Sequence, residues 1–226
     1  MEPKIHFIGI SHADPYGQRK LERALLVESP DILTIEGSDE MDEYVKSGEH
    51  QRNAIIRLDR YREKGLSKRA YELFVREVRR TYGYENKIAK KYSESKGIQL
   101  HNVDDLNTIE EARNHFLVDE LGEVEPMNKK TFEDLVRHAE KGYEDFEKMF
   151  TFPKVYRDSI DQIASKEARD ENMAKNIERL LVPGKKLVHI TGLLHCLDDS
   201  RGKSTFSRLL KYKPTRSTLG NKRYKL

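Results

Sequence analysis

Four short apolar runs, set far apart and separated by charged stretches of helical periodicity, constrain this chain more than any other feature. They are "KIHFIGI" (4–10), "DILTIEG" (31–37), "IQLHNVD" (98–104) and "KLVHITG" (186–192). Each is rich in Ile, Leu, Val or Phe and nearly continuous in apolar character, which predicts strands covered on both faces, as in a parallel sheet. Strands alternating with helices predict βαβ units. The expected class is therefore α/β: a mostly parallel β-sheet flanked by helices. At 226 residues the chain is read as a single domain, 1–226.

Between the runs, the spacing predicts a helix over 18–28 and helices across about 40–94 in two or three pieces, punctuated by Gly65 and Gly83. Capping boxes at 108–111 and from Thr131 open helices to about 121 and 149. Pro153 suits the first turn of a long helix ending near Leu181. Charged residues make up 36% of the chain, above the roughly 25% usual for soluble proteins, and long exposed helices account for the excess.

The charge is unevenly placed. A helical insertion, roughly 40–95, is basic: from Arg52 to Lys96 there are 14 Lys and Arg against 6 acidic residues. The C-terminal tail, 211–226, holds six Lys and Arg and no acid, more than the net +3 of the whole chain, so the remainder is net negative. Solvated surface is the plain reading of both regions; an anionic partner, nucleic acid included, is the alternative. A single Cys excludes an intramolecular disulfide and a Cys-based zinc site. No stretch approaches the roughly 18 apolar residues that span a bilayer, and the N-terminus lacks an apolar signal region. A soluble, cytoplasmic protein without a transmembrane segment is expected.

In an open parallel sheet, ligands bind beyond the carboxyl ends of the strands. The first run delivers His12 there, after Gly9; the second delivers Glu36, the third Asp104 and Asp105, and the fourth His195, after Gly192. "HFIGISH" and "HITGLLH" thus repeat one pattern: apolar run, Gly, two residues, His. Glycine at such a place permits a tight turn and close backbone approach. The two imidazoles are predicted to share one pocket with Glu36, lined by Gly9, Gly192 and Asp104. The stretch "ARDENMA" before the fourth run adds two residues. Asp170 lies in line with Ile163, Ile177 and Leu181, mid-stripe, so it needs a partner if buried. Arg169, at the flank, can point its guanidinium at the pocket without being needed for packing. Each residue also has a structural reading: a packing His, a capping Glu36, turn aspartates. The convergence of four strand ends favours the pocket. His6, His101 and His189, inside runs, and His50, His115 and His138, in helical patterns, are assigned to structure or surface, and Cys196 is read as a small buried hydrophobe.

The set "GISH" (9–12), "IEG" (35–37), "RDENMA" (169–174) and "GLLH" (192–195) resembles the TraB/PrgY/Tiki family, within a superfamily that takes in erythromycin-esterase-like enzymes and the haem-binding ChaN group. Order and spacing agree over about 1–37 and 98–200. Two positions depart from the family pattern: Ala168 stands where an acidic residue often precedes the Arg-Asp pair, and Asp105 where an Arg often follows the Asp. The resemblance implies a hydrolase, metal-dependent, cleaving a peptide or ester bond, with His12, Glu36, Arg169, Asp170 and His195 in the site. It also allows a non-catalytic binder of a small molecule, peptide or haem. Two imidazoles and a carboxylate suit a divalent metal (Zn, Mn, Co or Fe) held by His12, Glu36 and His195. Without a metal, His12 or His195 serves as general base, Glu36 as its partner and Arg169 as the stabiliser of negative charge.

Overall fold

The computed structural model describes residues 1–12, 14–38, 83–104, 129–163 and 168–224, with scattered positions between 43 and 76. The first elements are β1 (Lys4–Ile10), α1 (Gly17–Glu28), β2 (Ile32–Ile35), α2 (Tyr84–Lys96) and β3 (Leu100–Asn102). Then come α3 (Lys129–Thr151), α4 (Arg157–Ile163), α5 (Ala168–Arg179) and β4 (Lys186–Gly192). A 3-10 turn (Leu193–Cys196), α6 (Thr205–Arg208) and β5 (Thr215–Thr218) complete the frame. The five strands form one parallel sheet in the order β3-β2-β4-β1-β5.

Both faces of the sheet are covered, which explains the near-continuous apolar runs. Successive strand residues point to opposite faces. Ile8 and Ile10 of β1 pack with Leu21, Leu25, Ile88 and Tyr92 of α1 and α2, while Ile5 and Phe7 pack with Met173, Ile177 and Phe206 of α5 and α6. The helix α1 buries Leu21, Ala24, Leu25 and Glu28, the i, i+3, i+4, i+7 stripe of an amphipathic helix. Among the described residues no helix is long and apolar enough to cross a membrane.

Two expectations change. Within the long helix expected from Pro153 to Leu181 the described residues form α4 and α5, after a turn at 152–156 in which Val155 N–H bonds the Phe152 carbonyl, and 164–167 lie outside the described residues. Proline disfavours helix in the residue before it, and α3 accordingly stops at Thr151. The tail, read as a basic extension, supplies β5, which pairs with β1 along His6–Gly9. Its basic residues are partly engaged within the chain. Lys211 pairs with Glu178, Arg223 pairs with Glu28, and Arg216 lies between the Phe150 and Phe206 rings at 4.6 and 4.1 Å. The end of the insertion forms α2, as the helical spacing predicts, with Gly83 (φ 66°) capping its start; most of 40–82 and the helix expected over 108–121 lie outside the described residues.

Polar groups hold β5 in place. His6 Nδ1 is 2.7 Å from Thr215 Oγ1 and His6 Nε2 2.9 Å from Ser217 Oγ, while Tyr224 Oη donates to buried Glu28 at 2.6 Å. Burial lowers His6 to about 4, against the pull of Glu28, and lowers His189, wholly inside β4, to about 3. Both are therefore neutral in the folded protein, and the unfolded chain takes up their protons first, near pH 6.5. Their stability contribution is complete above that pH and is lost as pH falls towards the folded values. His195, described below, is shifted upward, so its contribution is complete below about 6.5 and declines towards higher pH. Between pH 6.5 and 5 the two buried neutral histidines dominate, and stability should fall by about 2 kcal/mol for each. Urea unfolding followed across that window tests this: the midpoint should drop with acid, and the slope should flatten in the His6→Gln/His189→Gln double variant. A midpoint independent of pH down to 5 contradicts it.

Candidate active site

The register of the central strands sets the site. In the β1–β4 ladder Gly9 lies opposite Thr191 and Ile10 opposite Gly192, so the two Gly-x-x-His segments leave neighbouring strands within one residue of each other. Ile35 lies opposite Ile190 on the other side of β4, and Glu36 N–H continues that pairing to the Ile190 carbonyl at 2.9 Å. Asp104 follows β3, its N–H bonded to the Gly37 carbonyl at 3.0 Å. Parallel pairing thus places His12, Glu36, Asp104 and His195 beyond the same edge of the sheet.

The space beside Gly192 is where the expected centre meets. A Cβ placed on Gly192 would lie 3.3 Å from His12 Nε2, 3.5 Å from Glu36 Oε2 and 3.6 Å from His195 Cδ2. Gly9 serves differently: its open side faces Leu193 Cδ2 at 3.0 Å and Cys196 Sγ at 3.3 Å, so it admits the 3-10 turn that carries His195. Cys196 is fully buried among apolar residues, as expected.

Glu36 is the hub. Its Oε2 accepts from Thr191 Oγ1 and from Gly192 N–H, both at 2.7 Å. Its Oε1 accepts from Arg169 Nη2 at 2.9 Å and stands 3.3 Å from His195 Nε2. Arg169 also forks onto Asp104, with Nε donating at 3.0 Å and Nη2 in closer contact with the same oxygen. Arg169 reaches the site as the flank position predicts, but it bridges two buried carboxylates, so it is also structural. Asp170, fully buried at the centre of its stripe, accepts from His195 Nδ1 at 2.8 Å, from Thr205 N–H at 2.6 Å and from Thr205 Oγ1 at 2.7 Å. The carboxylate that the sequence reads as needing a partner has found the second imidazole and the start of α6.

These contacts fix the charges. Burial alone would raise the Glu36 carboxyl, but His195, then Arg169 and His12, hold it well below the usual carboxylate range. Burial alone would lower His195, but Glu36 and Asp170 push it up to about 10. The pair is an ion pair, with imidazolium between two carboxylates. His12 differs: its side chain is 34% exposed against 11% for His195, and its Nδ1 donates to Glu85 Oε1 at 2.8 Å.

Several of these partners were not legible in the sequence. Glu85 sits in the first turn of α2, inside a segment whose signal is basic. Thr191 and Thr205 carry no periodic signal. Asp105 lies outside the described residues. Among the described residues, no three His, Cys, Asp or Glu side chains already stand as a metal-holding group. No family model matches this chain, and no curated protein and no solved structure matches it.

Proposed function

We propose that this protein is a hydrolase of a peptide or ester bond, centred on His12, Glu36 and His195 and dependent on a divalent metal such as Zn, Mn, Co or Fe. One observation carries the reading. Each imidazole has its Nδ1 held by a carboxylate, Glu85 for His12 and Asp170 for His195, and each has its Nε2 close to Glu36 or to the Gly192 space beside it. Carboxylates behind the far nitrogens of two histidines that face a third donor are the usual outer shell of a metal site.

The donor chemistry fits such an ion: His12 Nε2, His195 Nε2 and the Glu36 carboxylate would hold it. When bound, it supplies a water of near-neutral pKa and polarises the scissile carbonyl. The chain's own groups do the rest. Asp170 keeps the Nδ1 proton on His195, so that Nε2 is the nitrogen turned towards Glu36. Arg169 and Gly192 N–H fix the Glu36 carboxylate from two sides. To hold the ion, His195 would have to give up its Nε2 proton, so metal uptake should release protons and weaken with acid.

A second reading rests on one observation, the existing Glu36–His195 ion pair. It keeps His195 as a fixed cation and makes the more exposed His12 a metal-free general base, with Nε2 taking the proton from water. Elemental analysis of tag-free protein separates the two. Near-stoichiometric metal, lost in His12→Ala and Glu36→Gln, is expected; hydrolysis of an ester and peptide panel that survives a chelator supports the second reading. Neither metal uptake nor hydrolysis, with each of the four metals supplied, overturns both.

Gly192→Ala offers a milder probe. Its backbone (φ −57°, ψ 149°) suits any residue, and the added methyl would sit at ordinary or slightly tight contact. The variant should melt within a few degrees of the parent while losing metal affinity by about 10-fold or more, because the methyl occupies the space the ligand needs. Unchanged affinity would place the binding space elsewhere.

A further inference from the structure

We infer that Glu85, a residue of the basic insertion, is a positioning residue for His12; the inference rests on the reading of His12 as a working member of the site. Glu85 lies in the first turn of α2, on the face of the sheet opposite the helix that carries Arg169 and Asp170. Its side chain is 10% exposed, its Oε1 accepts from His12 Nδ1 at 2.8 Å, and its Oε2 is buried with no hydrogen-bond partner among the described residues. A carboxylate in that position is not placed for its own solvation. Burying it is costly unless the group it faces returns the interaction, and the group it faces is His12.

The surroundings make α2 a rigid support rather than a passing contact. Tyr84, the preceding residue, is fully buried, and its Oη donates to the Ser11 carbonyl at 3.2 Å. From the other side Tyr143 Oη accepts from Ser11 N–H at 3.1 Å and donates to Asp14 Oδ2 at 3.0 Å. Gly17 leaves room for this grip: a Cβ there would lie 2.3 Å from the Tyr84 ring. The backbone just before His12 is thus clamped by two tyrosines while Glu85 sets the imidazole. With the Nδ1 proton committed to Glu85, Nε2 is the basic nitrogen, and it is the one beside Gly192 and Glu36. Glu85 does for His12 what Asp170 does for His195, from the opposite face of the sheet: α2 packs with Ile8 and Ile10, α5 with Ile5 and Phe7.

The test is nitrogen-detected NMR of the histidine side chains in the full chain, with zinc titration of the same samples. The wild type should show His12 as the Nδ1–H tautomer. Glu85→Gln, which keeps an accepting oxygen and the shape, should keep that tautomer but bind zinc more weakly. Glu85→Ala should show a tautomer mixture and weaken zinc by about 10- to 100-fold, with the amide spectrum of the sheet unchanged. A His12 tautomer and zinc affinity that are the same in wild type, Gln and Ala overturn the inference. If the wild type binds no zinc yet the tautomer still shifts in Glu85→Ala, the positioning role stands and the metal-dependent function fails.

Discussion

Asp170→Ala should lose about 3–5 kcal/mol of stability, a drop of roughly 10 °C in melting temperature for a chain of this size. The carboxylate is fully buried and gathers three donors: His195 Nδ1–H, Thr205 N–H and Thr205 Oγ1. Removing it strips a charged partner from a buried imidazolium and leaves the Thr205 N–H and hydroxyl, at the start of α6, without their acceptor. Asp170→Asn should recover most of the loss, because the amide oxygen still accepts, while His195 falls from about 10 as one of its two carboxylates disappears. Urea unfolding of the two variants and a histidine NMR titration read both effects. An Ala variant as stable as the parent contradicts the account of Asp170 as the link between β4's turn and α6.

Arg169→Ala should be comparably damaging, against the expectation from helical periodicity that this residue is dispensable for packing. Its guanidinium bridges Glu36 and Asp104, whose side chains are 6% and 0% exposed. Without it two buried carboxylates lose the cation that they share, at a cost of about 3–5 kcal/mol at neutral pH. Arg169→Lys should rescue little, since an ammonium cannot fork onto two carboxylates. Asp104→Asn placed in the Arg169→Ala background should restore part of the stability by removing the like-charge pair, a coupling that a double-mutant cycle measures. Strictly additive losses would show that the three groups do not act as one network.

The frame of the sheet is legible in the sequence because two-sided burial writes itself as apolar runs. The runs at 4–10 and 186–192 coincide with β1 and β4. The runs at 31–37 and 98–104 overshoot β2 and β3 at both ends, and just past those strands Glu36 and Asp104 give their carboxylates to the site. β5 is illegible for the opposite reason: its buried residues, Ser217 and Thr218, are polar, and a cluster around His6 and Glu28 holds the strand in place of an apolar face. The candidate site follows the same logic. His12, Glu36, Asp104 and His195 are readable because strand ends in a parallel sheet share an edge. Glu85 is not, because the pairing of a helix with a distant loop leaves no local pattern.

Anomalous diffraction at the metal's absorption edge, from crystals of tag-free protein saturated with zinc, tests the central claim most directly. The account predicts a peak within about 2.0–2.2 Å of His12 Nε2, His195 Nε2 and a Glu36 oxygen, with Glu85 and Asp170 still behind the two Nδ1 atoms. A zinc-saturated crystal with no peak among those three side chains, and the Glu36–His195 ion pair intact, would contradict it.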